Sequence, residues 1–124
     1  MNLEKLRCRP FKTKLRVPIY DADVWLVVSN DIEASRKAME RLFGPAPDVH
    51  GYNALCSWNG GGTFGLFFLR KSMSLNTVSH EVFHLTHRIL EWTGCNFDAD
   101  HHEQGAMLHG HLMTEVAKKI CKWR

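Results

Sequence analysis

The stretch Leu75–Trp92, LNTVSHEVFHLTHRILEW, constrains this chain more than any other. Leu75, Val78, Val82, Phe83, Ile89 and Leu90 recur at helical spacing, Ser74 or Asn76 can cap the start, and Gly94 supplies a stop. A helix of this length draws its stability from burying an apolar face. The rest of the chain must therefore provide a sheet or further helices for it to pack on. The same helix carries three histidines and a glutamate between His80 and His87, and the polar face they form is the first candidate for chemistry.

The partners can be read on either side. Residues 17–29 (VPIYDADVWLVVS) have the β-branched and aromatic content of a strand. Asp31 is placed to cap a helix over about 32–43, in which Ile32, Ala38, Met39, Leu42 and Phe43 keep helical spacing until Gly44-Pro45 stops it. Residues 52–58 (YNALCSW) and 63–70 (TFGLFFLR) flank Asn59-Gly60-Gly61-Gly62, the pattern of a hairpin. Gly65 marks a bulge, a close backbone approach or an accommodation in packing. A last helix is expected near 101–121, where Ala106, Gly110 and Ala117 would let a neighbouring helix approach closely. The expected fold is α+β: a small three-stranded sheet whose hairpin packs on the HExxH helix, with two further helices. The length of 124 residues suits a single domain over 1–124 with a basic N-terminal lead-in, about 1–16.

Charge and cysteine content narrow the function classes. The net charge of +3 gathers largely in two runs, Lys5–Arg16 and Lys118–Arg124, which read as solvated tails. Neither run interleaves aromatics as a base-stacking surface would, so nucleic acid is not the expected partner. The cysteines at 8, 56, 95 and 121 form no CxxC pair and read as reduced thiols. The N-terminal residues lack an apolar run of signal-peptide length, and no stretch approaches the ~18 apolar residues of a membrane span. A cytoplasmic protein with no membrane partner is expected.

His80-Glu81-Val82-Phe83-His84 spells HExxH. On a helix, positions i and i+4 share a face, so two imidazoles can address one cation while the glutamate addresses a water on it. Shuffling this composition would produce the motif in roughly 3% of chains, so its context carries the weight. Zn2+ in a catalytic site takes three protein ligands and keeps one position open. Glu103, 19 residues after His84 and at the start of the last helix, is the leading third ligand. It falls on one stripe with Ala106, Met107, Gly110 and Ala117, the face expected to meet the HExxH helix. His101 and His102 compete for the same role. His87 can serve behind the ligands or contact substrate, and an ordinary surface histidine has equal weight. Asp98 and Asp100 can orient an imidazole or cap the next helix. His109 and His111 point to different faces, and His50 is unassigned.

The order strand, helix, hairpin, HExxH helix, glutamate-bearing helix resembles the zincin metallopeptidases, specifically the gluzincins in minimal form. HEVFHLTHRILEWTG followed by EQGAMLHGHL also resembles small predicted metallopeptidases of bacteriophage genomes, over roughly residues 52–114. The resemblance implies a zinc peptidase with His80, His84 and Glu103 as ligands, Glu81 as general base, and a peptide or protein substrate held on TFGLFFLR as an edge strand. A phage origin would place it in the host cytoplasm. Two departures stand out: Met107 occupies the position where large gluzincins carry a carboxylate, and no separate oxyanion acid is identifiable. His87, His101, His102 and Tyr52 are the substitutes available. The alternative is a non-catalytic zincin-fold metal-binding protein acting through a protein partner, such as a phage accessory protein. A nucleic-acid-binding accessory domain using the basic ends ranks third.

Overall fold

The computed structural model describes residues 6–45 and 51–124. His50, with most of the loop before the hairpin, lies outside them. The fold is α+β, with four strands in one mixed sheet and three α-helices. The strands are β1 (Phe11–Val17), β2 (Ala22–Ser29), β3 (Ala54–Trp58) and β4 (Thr63–Leu69), in the order β1-β2-β4-β3. The helices are α1 (Ile32–Phe43), α2 (Leu75–Trp92) and α3 (His102–Lys122).

The sheet has one strand more than the three expected, because the basic lead-in is not a tail. In FKTKLRV, Phe11, Leu15 and Val17 are buried while Lys12, Lys14 and Arg16 face solvent, the period-2 pattern of an edge strand. A 3-10 turn at Pro18–Tyr20 and a left-handed Asp21 reverse the chain, so the single strand expected over 17–29 is two segments. β1 and β2 then pair antiparallel from Phe11↔Val28 to Val17↔Ala22. Lys12 and Lys14 lie over the Trp25 ring at 5.0 and 5.6 Å, so an aromatic does sit among the basic residues, supplied by the neighbouring strand. The second basic run is no tail either, since its first five residues, from Lys118 to Lys122, lie in α3.

β2 and β4 are parallel neighbours joined through α1, and β3 turns back on β4 as the expected hairpin. The Asn59 side chain accepts from the backbone N–H groups of Gly61 and Thr63. Gly62 closes the turn at φ 85°, where a Cβ would meet the Trp92 ring at 2.8 Å. β4 is buried at every residue after Thr63, as a central strand covered on both faces must be. The ladder runs through Gly65 without a bulge; its missing Cβ makes room for the rings of Phe43 and Phe67.

α1 covers one face of the sheet, packing Ile32, Ala38, Met39, Leu42 and Phe43 around Val27, Phe67 and Leu55. Asp31 caps it by accepting from the Ala34 N–H, and Ser29 and Ser35 share a buried hydroxyl hydrogen bond between sheet and helix. The opposite face holds the larger core. There α2 brings Val78, Val82, Leu85, Ile89 and Leu90 against Val24, Leu26, Phe64, Leu66 and Phe68. Ser74 caps α2 by accepting from the Thr77 N–H. α3 joins this core through Gly105, Leu108, Leu112, Val116 and Ile120. The small-residue stripe therefore does not make the contact expected of it: Ala106, Gly110 and Ala117 are exposed, and Met107 is 70% exposed. Large aliphatic side chains gain more from burial and set the phase of the helix. Among the described residues no helix is long and apolar enough to cross a membrane, and all four cysteines are free.

Candidate metal centre

Because Val78, Val82, Leu85 and Ile89 fix α2 on the sheet, the phase of the HExxH residues is fixed as well. His80, Glu81, His84 and Arg88 line a groove of about 330 Å³ whose other wall is β3, with Tyr52, Ala54, Leu55, Cys56 and Trp58. β3 is an outer strand of the sheet, whereas β4 is internal. The strand beside the groove is thus ALCSW, which corrects the assignment of TFGLFFLR as the edge.

The two motif imidazoles converge. His80 Nε2 and His84 Nε2 stand 3.2 Å apart, with ring planes 73° to one another. Two nitrogens bound to one tetrahedral zinc at about 2.0–2.1 Å would be separated by about 3.3–3.4 Å. The pair thus fits half of a zinc coordination shell as it stands, although the same distance also serves a hydrogen bond between neutral imidazoles. Glu81 lies between helix and strand with its side chain 12% exposed, and its Oε1 is 3.9 Å from His80 Nε2. Burial raises its pKa above the usual carboxylate value, opposed by the charges of His84 and His80.

The other candidates are placed elsewhere. Glu103 stands exposed in the first turn of α3, and among the described residues no third His, Cys, Asp or Glu completes a metal-holding group with His80 and His84. His87 lies beyond the groove lining, its ring 5.8 Å from that of Phe97. His101 pairs through Nδ1 with Asp98 Oδ1 at 2.7 Å, and His102 is the exposed first residue of α3. Asp98 also accepts from the backbone N–H groups of Asp100 and His101, so it organises the turn before α3. The His101 hydrogen bond lowers its pKa. His109 approaches Thr86 Oγ1 at 3.5 Å while His111 is exposed, confirming their different faces. Of the four residues considered for an oxyanion acid, Tyr52 is the one that lines the groove.

Three groove residues were not singled out from the sequence. Arg88 follows His84 by one turn, a spacing that puts it on the motif's face. Cys56 and Trp58 share strand parity with Ala54, so alternation places them together. Burial pushes the Cys56 thiol up to about 12, with the Glu81 charge adding and Arg88 opposing. The guanidinium of Arg88 lies over the Trp58 ring, 4.0 Å from its centroid. Comparison of the chain with protein-family models, curated proteins and solved structures found no match.

Proposed function

We propose that the chain is a small zinc-dependent metallohydrolase acting on peptides. One observation carries the reading: two histidine nitrogens converge at a separation suited to tetrahedral zinc, beside a largely buried glutamate side chain, in a groove along an outer strand. His80 and His84 would hold the metal, with Glu103 as the candidate third ligand. When bound, zinc supplies an acidified water and a Lewis acid for the scissile carbonyl.

Glu81 would take the proton from the attacking water and pass it to the leaving amine. The burial that raises its pKa brings it nearer the working pH, which favours a group that must both accept and return a proton. The outer edge of β3 would align an extended peptide over the His80–His84 face by strand addition. Tyr52, at the groove wall, would be the candidate donor to the developing oxyanion.

A second reading, a non-catalytic metal-binding protein acting through a protein partner, is favoured by the outward placement of Glu103. Turnover separates the two. Tag-free wild type is expected to bind about one zinc per chain and cleave a mixed peptide pool. Glu81→Gln should keep the zinc and lose cleavage, whereas His80→Ala should lose both. Cleavage retained by Glu81→Gln would exclude the hydrolytic reading, and zinc bound without cleavage by wild type would favour the second.

A further inference from the structure

We propose that Arg88 and Trp58 form a carboxylate subsite at one end of the groove, so that the substrate is a short peptide bearing a carboxylate two or three residues from the scissile bond. The inference rests on the hydrolase reading of His80, Glu81 and His84 and adds the substrate class.

Arg88 is held unlike Arg16 and Arg36. Arg16 and Arg36 each meet two carboxylates, Asp21 with Asp23 and Glu33 with Glu40. Arg88 meets only one: its Nη1 donates to Glu91 Oε1 at 3.3 Å, and among the described residues its Nη2 and Nε have no acceptor. The Trp58 ring beneath it restrains the guanidinium further. A stacked guanidinium keeps its donors in a fixed plane, and the best match to two such donors is a carboxylate, taken side by side.

Placement makes this fork part of the site. Arg88 and Trp58 line the same groove as His80, Glu81 and His84. From the middle of HExxH to Arg88 is six helical positions, a rise of about 9 Å, which an extended peptide covers in about two to three residues. From His80 to Arg88 the rise is about 12 Å, so the groove suits a short segment. The carboxylate can come from an acidic side chain or from the C-terminus of the peptide.

The test uses fluorescent peptides matched in sequence, with Glu or Gln at each position and with free or amidated C-termini. Binding is read by anisotropy on Glu81→Gln protein, with and without Arg88→Gln and Arg88→Lys, and cleavage by kcat/KM on wild type and the Arg88 variants. Carboxylate peptides are expected to bind at least about tenfold tighter than neutral ones, as a charge-assisted pair permits. The preference should vanish in Arg88→Gln and survive only partly in Arg88→Lys, which keeps a charge and the fold but not the fork. The Glu/Gln pairs and the free/amidated pairs identify which carboxylate is used. An Arg88-dependent preference in binding with no cleavage supports the subsite and removes the hydrolase reading. Cleavage without carboxylate preference removes the subsite and leaves that reading. Binding that ignores the carboxylate, or a preference unchanged in Arg88→Gln, overturns the inference.

Discussion

Zinc should stabilise this protein through the His80–His84 pair, and the geometry bears on how strongly. The two Nε2 atoms stand 3.2 Å apart, within about 0.2 Å of the separation that tetrahedral zinc requires. The imidazole pair itself therefore needs little reorganisation to take up the metal. The His80 side chain is 66% exposed, so zinc reaches it without opening the core. Zinc at 100 times its Kd would stabilise the folded state by about 2.7 kcal/mol. At this chain length 1 kcal/mol moves Tm by roughly 3–6 °C, so the expected rise is about 8–16 °C. Scanning calorimetry of tag-free protein with and without zinc measures it. His84→Ala leaves one imidazole and should reduce the rise to below about 3 °C. An absent rise in wild type, or a full rise in His84→Ala, would refute the paired-imidazole site.

Four further outcomes follow from the packing and the thiols. Gly65→Ala places a Cβ 2.7 Å from the Phe67 ring and 2.8 Å from the Phe43 ring, and overpacking of this kind costs about 1–3 kcal/mol, read as a lower urea midpoint with unchanged slope. Asp31→Ala removes the acceptor for the Ala34 N–H and should cost about 1 kcal/mol, whereas Asp31→Ser should recover most of it. Cys121 is exposed while Cys56 is held neutral up to about 12, so alkylation at pH 8 should mark Cys121 first and Cys56 far more slowly. The folded chain keeps the Cys56 proton that the unfolded chain releases near 9.0. Its stabilising contribution is thus whole below that pH and is lost as pH rises towards about 12, a slope that Cys56→Ala should flatten in pH-dependent melting.

The helices α1 and α2 were legible because short-range signals agree: a capping side chain, helical spacing and a Gly stop. The sheet was less so. In residues 11–17 the cations at 12, 14 and 16 drew attention to charge, although Phe11, Leu15 and Val17 carried a strand's alternation. The internal position of β4 was written in TFGLFFL, where Phe64, Leu66 and Phe68 face one way and Phe67 and Leu69 the other. A strand apolar on both parities needs cover on both faces and cannot serve as the open edge beside a substrate. HExxH was readable because its geometry is contained in one turn of helix. The Arg88–Trp58 contact depends on how β3 meets α2, and neither segment encodes that alone.

The third ligand shows the same dependence on phase. At about 100° per residue, Glu103 lies about 140° around α3 from Leu108 and about 180° from Leu112, the residues that bury the helix. It faces outward while that phase holds through the first turn. This turn has no side-chain cap: His101, at the N-cap, makes no side-chain hydrogen bond to it, and Asp98 ties down only the preceding residues. Gly105 follows within one turn, where glycine lowers the intrinsic cost of leaving the helix, at the expense of its close packing on Phe97. Ligation by Glu103 therefore requires residues 102–105 to give up helical phase while Leu108 onward stays packed. Zinc titration followed by amide NMR should then shift His102 to Gly105 together with His80 to His84, and Glu103→Ala should abolish the first set while weakening zinc binding. Shifts confined to His80–His84, with affinity unchanged in Glu103→Ala, would remove Glu103 from the metal site and leave the imidazole pair to bind without it.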